Sequence, residues 1–202
     1  MLYILPYTDS CIEMLFGFEM NTLPKDITES KAVKIGHIID HLVDALGGEP
    51  GCTVRRAVIL ADIDENPGTT QAGIINRLKA DKSTLNRDIE WLYDYGCLRR
   101  TPGPDGREVR LQIEGYAKKN LDFALEYFDS SHKSLKNFLI HFINLFGEHK
   151  PTLRDVKIIS AAADNKHSSR QNLLKDLYGG STTTENRAIN NLIDMGLLVK
   201  GD

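Results

Sequence analysis

Side chains that can hydrogen-bond to bases and phosphates crowd into one short stretch near the middle of the chain. They are Lys82, Ser83, Thr84, Asn86 and Arg87. In the major groove of duplex DNA an asparagine can pair with adenine and an arginine with guanine, while serine and threonine hydroxyls bind phosphates. These residue types therefore favour a DNA-contacting surface. A solvated helix face is the competing interpretation, because small polar residues also form one.

These polar residues need a helix to present them, and the apolar pattern around them predicts one. At about 100° per residue, Leu85, Ile89 and Leu92 share one face, while the polar set occupies the other face and the N-terminal end. Gly96 is placed to end the helix, since glycine adopts the left-handed conformation at low cost. The sequence therefore predicts a helix over residues 82–95 with a buried face and an outward polar arc.

The same stretch recurs one hundred residues later. Residues 81–100 and 181–200 align without a gap and share eight identities. The identical pairs are Thr84/Thr184, Asn86/Asn186, Arg87/Arg187, Ile89/Ile189, Leu92/Leu192, Asp94/Asp194, Gly96/Gly196 and Leu98/Leu198. A self-match this dense marks a repeated structural unit. Because a threonine, an asparagine and an arginine of the polar set are shared, the repeat favours a common function over common packing alone.

The second copy offers an outward arc of its own. Its candidate contacts are Thr183, Asn186, Arg187 and Asn190. Glu185 stands where the first copy has the core residue Leu85, and its spacing from Thr182 also suits an N-terminal helix cap. Basic residues are scarce in this copy. The arc is therefore predicted to contact either DNA or another protein, with neither partner favoured.

A short hairpin follows the first copy. Residues 97–101 and 107–113 alternate apolar and charged side chains around a Pro/Asp-Gly turn. The hairpin carries Arg99, Arg100, Arg107 and Arg110. An arginine at the tip can enter a minor groove or bind phosphate oxygens, and Asp105 could hold Arg107 in place. Because arginines also decorate hairpins for solubility, this signal gains weight only beside the polar helix.

Helix, short helix, helix and hairpin in this order predict a winged helix-turn-helix. Helices are expected over residues 26–46 and 53–64, and Thr69 or Thr70 caps the short helix that follows. The fold is predicted to be mainly α, with this winged unit, flanking dimerisation helices and a second, wingless helix-turn-helix. The divisions are residues 1–50 (N-terminal arm and helix), 51–115 (winged unit), 116–150 (helical connector or dimerisation element) and 151–202 (second helix-turn-helix).

The helical stripes between the two units leave an alternative open. Their apolar residues include Leu121, Ala124, Leu125, Phe128, Leu135, Phe138, Leu139, Phe142, Ile143 and Phe146. These stripes exceed what one small domain must cover, which favours an interface with a second chain. Burial within one chain explains them equally well. The apolar first twenty residues are interpreted as a docking or dimerisation arm.

The sequence from about residue 54 to residue 115 resembles the MarR family of bacterial transcription regulators. The matching residues are Pro67-Gly68-Thr69, Asp81-Lys82-Ser83-Thr84 with Arg87, Leu92 and Gly96, and the wing Asp105-Gly106-Arg107. The resemblance implies a homodimer, joined through helices that flank the DNA-binding lobe, on a near-palindromic operator. It also implies that Ser83, Thr84 and Arg87 read the groove and that the wing inserts Arg107. The chain departs from the family in residues 112–115, which lack the usual threonine, and in its second helix-turn-helix.

Composition bounds the remaining classes of function. A net charge of −3 and a pI near 6.1 mean that any DNA-binding surface is a local concentration of lysine and arginine. Three widely spaced cysteines predict neither a disulfide framework nor a zinc site and fit a reducing cytoplasm. His37 and His41 have i,i+4 spacing, but no motif completes a metal site around them. We therefore expect a cytoplasmic protein without catalytic set, metal, cofactor or membrane span.

The sequence as a whole predicts a sequence-specific transcriptional regulator that binds double-stranded DNA. Its recognition helix, residues 82–95, would occupy the major groove, and its wing, residues 99–110, the minor groove or backbone. Two alternatives share the fold: a tandem winged-helix scaffold that binds proteins, and a phage or plasmid replication or partition protein. A small-molecule effector is compatible with a regulator, but the sequence identifies neither effector nor operator.

Overall fold

Helices dominate the part of the chain that the structure describes. The computed structural model describes residues 2–3, 31–104, 106–128, 134–163, 170–175, 177 and 182–200. The helices are α1 (Lys31–Ala45), α2 (Val54–Glu65), α3 (Gln71–Leu78), α4 (Lys82–Asp94), α5 (Gly115–Tyr127), α6 (Leu135–Leu145), α7 (Leu153–Ala163), α8 (Arg170–Lys175) and α9 (Thr182–Asp194). The strands are β1 (Leu2–Tyr3), β2 (Leu98–Pro102), β3 (Val109–Ile113) and β4 (Val199–Lys200). The run from α2 to β3 is a winged helix-turn-helix, which confirms the predicted mainly α fold.

The N-terminus of α4 is fixed by a side-chain cap. Asp81 accepts a hydrogen bond from the backbone N–H of Thr84 at 2.8 Å and another from the hydroxyl of Ser83 at 2.7 Å. The Ser83 hydroxyl first, and then the Thr84 N–H, lower the pKa of Asp81 to about 2, because both bonds favour the charged carboxylate. The opposite face of the helix is fully buried at Leu85 and Ile89, as predicted.

The two recognition-like helices end in the same way. Gly96 and Gly196 have φ angles of 68° and 72°, in the left-handed region that glycine tolerates. In the first unit the N–H of Cys97 donates to the carbonyl of Leu92 at 2.8 Å. In the second unit the N–H of Leu197 donates to the carbonyl of Leu192 at 2.9 Å. This is the Schellman arrangement. The left-handed φ explains the identical glycine, and the full burial of Leu92 and Leu192 explains the identical leucine.

The wing is anchored to the helices by its base. β2 and β3 pair antiparallel over five residues each. Thr70, which caps α3 by accepting a hydrogen bond from the N–H of Gly73, also forms a bridge with Arg110. The N–H of Leu111 donates to the carbonyl of Thr69 at 2.9 Å. The position of the wing relative to the helix-turn-helix is therefore set by main-chain hydrogen bonds.

The apolar stripes of α5 and α6 are buried within the chain. α5 packs on α1, and α6 packs on α2. Leu121 and Ala124 on α5 are fully buried, and Phe138 and Phe142 on α6 are at most 2% exposed. Of the two interpretations of these stripes, core burial is therefore the correct one for these side chains. The helices flanking the winged unit form its own core.

The histidine pair on α1 is explained by stacking. His37 and His41 lie against the same ring, Tyr127 of α5, with centroid separations of 4.8 and 5.6 Å. Their i,i+4 spacing therefore serves the packing of α1 on α5. Both histidines are half-buried. Within the described ranges, no helix has both the length and the hydropathy needed to cross a membrane.

The second unit has a core of its own, in which the carboxylate of Glu185 is buried. Its buried residues are Phe146, Ile158, Ile159, Leu173, Leu177, Ile189, Leu192, Leu197 and Leu198. Glu185 lies among them, and a nitrogen of Arg154 on α7 approaches its carboxylate to 3.2 Å. One hundred residues earlier the two positions hold Val54 and Leu85, both fully buried. An apolar pair in the first unit is thus an ion pair in the second. The predicted cap of Glu185 with Thr182 lies outside what the structure describes, because the Thr182 side chain is not among the described side chains.

The end of the second unit also differs from the prediction. β4 pairs antiparallel with β1, with Leu2 opposite Lys200 and Tyr3 opposite Val199. The second unit therefore has a two-stranded sheet whose partner strand comes from the beginning of the chain. At residues 2–3 the predicted docking arm pairs with its own chain. The rest of the arm and residues 26–30 of the first predicted helix lie outside the described residues.

A short antiparallel bridge joins the two units at the start of their first helices. Thr53 pairs with Thr152; the N–H of Val54 donates to Pro151, and the N–H of Leu153 donates to Cys52, both at 2.9 Å. A capping box lies on one side of the bridge. Thr152 and Asp155 bond each other's backbone N–H, at 2.8 and 3.2 Å.

We predict that the Asp81 cap stabilises the protein in a pH-dependent manner. Because its folded pKa is about 2 and its ordinary pKa is 3.8, the stabilisation is complete above about pH 4 and is lost as the pH falls towards 2. Asp81→Ala should therefore lower the melting temperature at pH 7 but not at pH 2. Asp81→Ser is the control, since serine caps without a charge. A melting difference that is the same at both pH values would contradict this prediction.

We also predict opposite effects for single and double replacement of the buried ion pair. Arg154→Val alone should lower the free energy of unfolding by about 3–5 kcal/mol, because it leaves Glu185 buried without its partner. Arg154→Val with Glu185→Leu installs the residues of the first unit. This double variant should be as stable as the natural chain or more stable by about 1–4 kcal/mol in urea denaturation. A double variant less stable than the single one would refute the equivalence of the two positions.

Candidate nucleic-acid interface

The outward arc of α4 is divided between exposed and engaged side chains. Lys82, Ser83 and Arg87 are exposed, and Thr84 is half-buried beside the cap. Among the ion pairs of the described residues, none involves Arg87. The exposed part of this arc therefore presents the Lys82 ammonium and the Arg87 guanidinium over the first six residues of the helix, while the exposed Ser83 hydroxyl donates to Asp81. These are donors of the kind that bind phosphates and guanine.

Asn86 is placed differently from its neighbours on the arc. It is half-buried, and its side-chain oxygen accepts a hydrogen bond of 2.7 Å from Nε2 of Gln71, the first residue of α3. The predicted base-contacting asparagine is therefore already bonded to the preceding helix.

The four arginines of the wing have two kinds of surroundings. Arg99 and Arg107 are exposed. Arg100 forms an ion pair with Glu90 of α4 and lies 4.6 Å from the ring centroid of Tyr93. Arg110 sits at the base of the wing, half-buried, where it bridges to Thr70. Arg100 thus holds the wing through its side chain and Arg110 through its main chain. Asp105, predicted to hold Arg107, lies outside the described residues.

A buried carboxylate fixes α4 on α2. Asp88 is 4% exposed and accepts hydrogen bonds from Nε of Arg55 at 2.5 Å and Nε of Arg56 at 3.2 Å. The Arg56 guanidinium in turn lies 3.8 Å from the ring centroid of Trp91 on α4. Arg55 and Arg56 of α2 therefore orient α4 through these contacts and are not available to bind DNA.

A second buried carboxylate fixes α3. Asp62 on α2 is fully buried and accepts a forked interaction from Arg77 of α3, with nitrogen–oxygen distances of 2.6 and 3.1 Å. Arg77 also donates to the Thr69 hydroxyl at 2.7 Å, next to the wing base. Lys136 of α6 completes the site with contacts of 3.1 Å to Asp62 and 2.6 Å to Glu65. Burial opposes the charged lysine, but these two carboxylates outweigh it and raise the pKa of Lys136.

Sequence reasoning missed these positioning residues, although one of them carried a signal. Asp88 lies on the same stripe as Leu85 and Leu92, three residues after one and four before the other. A carboxylate on a buried stripe requires a buried partner. That partner could have been sought among Arg55 and Arg56, whereas nothing in the pattern connects Gln71 with the arc.

The predicted arc of the second unit is also partly engaged. Thr183, Arg187 and Asn190 are exposed, and Asn186 is half-buried. Arg170, the first residue of α8, donates from Nε to the side-chain oxygen of Asn186 at 2.7 Å. Its Nη2 donates to the main-chain oxygen of Asn186 at 3.1 Å and to the side-chain oxygen of Asn190 at 3.0 Å. Two of the four predicted contacts are thus bonded to the preceding helix.

The described residues offer no donor set for a metal ion. Within those ranges, no three or more histidine, cysteine or acidic side chains converge at one point. Cys52 and Cys97 are buried, and burial raises the pKa of both thiols, that of Cys97 to about 11. Neither thiol is a thiolate near neutral pH, so neither is poised for nucleophilic chemistry.

Comparisons with known proteins find similar solved structures, including the following two. A MarR protein from Peptoclostridium difficile shares 20% identity, with 86% of this chain and 99% of that chain covered at a TM-score of 0.36. A MarR-family transcriptional regulator from Silicibacter pomeroyi shares 13% identity, with 87% and 92% covered at the same TM-score. No protein-family model and no curated protein matches the sequence. Both solved structures bear the name of the family that the winged unit resembles in sequence, and at these TM-scores they superpose on this chain only loosely.

Proposed function

We propose that this protein is a sequence-specific transcriptional regulator that binds double-stranded DNA through α4 and the wing. The observation that carries the proposal is the two-sidedness of α4. Its inner face is fully buried at Leu85 and Ile89, while Lys82, Ser83 and Arg87 are exposed on the other side. A helix-turn-helix with a free, polar, cationic face beside a wing has the composition that the major groove requires.

The exposed residues fall into two roles in this proposal. Arg87 is the base-reading residue, since a guanidinium can bond O6 and N7 of guanine together, worth about 1–3 kcal/mol of discrimination. Lys82, Ser83 and Thr84 bind phosphates or base edges near the N-terminus of α4. Arg99 and Arg107 bring positive charge to the adjacent minor groove or backbone. Because the whole chain has a net charge of −3, this surface must supply the electrostatic attraction locally.

A homodimer on a near-palindromic operator is part of the proposal. Most stripe residues of α5 and α6 are covered within the chain, so a dimer would have to use the part of α5 that remains exposed, or other surfaces. The exposed apolar side chains include Tyr116 at 61% and Leu125 at 37% exposure, both on α5. Analytical ultracentrifugation with defined duplexes would separate one chain on two half-sites from a dimer.

We predict that Arg87→Ala and Arg107→Ala each weaken binding to a selected duplex. The expected loss is about 1–3 kcal/mol for Arg87, because a bidentate base contact is removed. Its loss should also relax the preference at one base pair, whereas the Arg107 variant should chiefly lower the salt dependence of binding. The duplex is obtained by in vitro selection with the natural chain, and affinities are measured by fluorescence anisotropy.

Arg187→Ala is the matched control, because Arg187 is the exposed counterpart of Arg87 in the second unit. This change should leave the affinity for the selected duplex within about twofold, because Arg187 contributes no phosphate contact in the proposed binding mode. Unchanged affinity in both the Arg87 and Arg107 variants, with circular dichroism intact, would refute the proposal. No binding of the natural chain to random duplex DNA at low salt would favour the protein-binding scaffold instead.

A further inference from the structure

An analogous interhelical hydrogen bond occurs in each unit, from donors that lie one position apart in the hundred-residue alignment. In the first, Gln71 donates to the side-chain oxygen of Asn86; in the second, Arg170 donates to the side-chain oxygen of Asn186, and both distances are 2.7 Å. Gln71 and Arg170 each begin the helix that precedes the recognition-like helix. The donors differ in type, but the acceptor is the asparagine that the repeat keeps identical.

This bond removes what an asparagine needs in order to read adenine. Bidentate recognition uses the side-chain oxygen to accept from N6 of adenine and the side-chain N–H to donate to N7, with both atoms facing the base edge. In Asn86 the oxygen faces Nε2 of Gln71, and the side chain is half-buried between α3 and α4. In the second unit Arg170 holds the oxygens of both Asn186 and Asn190. The geometry of both units is that of a lock between helices.

We infer that Asn86 is a positioning residue, which locks α4 onto α3 through Gln71, and that it does not read a base. Asn86 lies three residues after Ser83 and directly before Arg87. Its bond therefore fixes the rotation of α4 where the exposed donors project. Sequence preference then belongs chiefly to the exposed Arg87. This inference rests on the proposed DNA-binding function and concerns which residues of that surface determine specificity.

The decisive double variant replaces the Gln71–Asn86 hydrogen bond with an ion pair and removes the side-chain N–H with which Asn86 could recognise adenine. Gln71→Arg with Asn86→Asp keeps the net charge, keeps an oxygen acceptor on α4 and installs the donor type that the second unit uses. An aspartate has no N–H for N7 of adenine and accepts from N4 of cytosine instead. The double variant should select the same duplex sequence as the natural chain in vitro, with an affinity within about threefold. A change of preference at one base pair, above all to cytosine, would overturn the inference.

Single variants test the lock without DNA. Asn86→Ala and Gln71→Leu should each lower the melting temperature by about 2–4 °C, as expected for one lost hydrogen bond in a chain of this size. The variant carrying both changes should melt no lower than the less stable single variant, since both remove the same bond. Gln71→Arg with Asn86→Asp should recover the natural melting temperature. Additive losses, or no loss with Asn86→Ala, would refute the lock.

The two sets of measurements separate failure of this inference from failure of the proposed function. If the natural chain binds no duplex, the proposed function fails, and the melting series still supports or refutes the lock. If the natural chain binds and the double variant changes its preferred sequence, the function stands and Asn86 reads a base.

Discussion

The winged unit depends on the pairing of one fully buried carboxylate, Asp62. A charge removed from water is tolerated only with close partners, and here Arg77 and Lys136 come from two different helices. Because both cations must meet the same carboxylate, α3 and α6 are fixed relative to α2 at one point. Arg77 extends this constraint to Thr69, whose carbonyl anchors the wing through Leu111. Asp62 therefore fixes α3 and α6 on α2 and supports the wing base through Thr69, while Asp88, paired with Arg55 and Arg56, orients α4.

The charged residues of the winged unit fall into two groups, those that orient its helices and those that form the candidate interface. Charged residues that face inward, such as Asp88 with Arg55 and Arg56, orient α4 and contribute nothing to its outer surface. What remains exposed is a small set, with Arg87 at its centre and Arg107 on the wing. An acidic chain can thus carry a local cationic face, because many of its other basic groups are paired with its own carboxylates.

Local chemistry was predictable from the sequence, and long-range pairing was not. Caps, the left-handed Gly96 and the apolar stripe of α4 follow from spacing over a few residues. The pair Arg154–Glu185 joins positions far apart in the chain, so the pattern showed only a misplaced charge at Glu185. The pairing of β1 with β4 joins the two ends of the chain and has no local signal. For the same reason Asn86 was assigned to the outward arc, since its donor Gln71 lies on another helix.

The most direct test of the account is hydrogen–deuterium exchange of the full chain, measured with and without its selected duplex. Binding through α4 and the wing predicts slower exchange at residues 82–87 and 99–110, with little change in α9. Slower exchange confined to α9, or none at residues 82–87 while the duplex is bound, would contradict it.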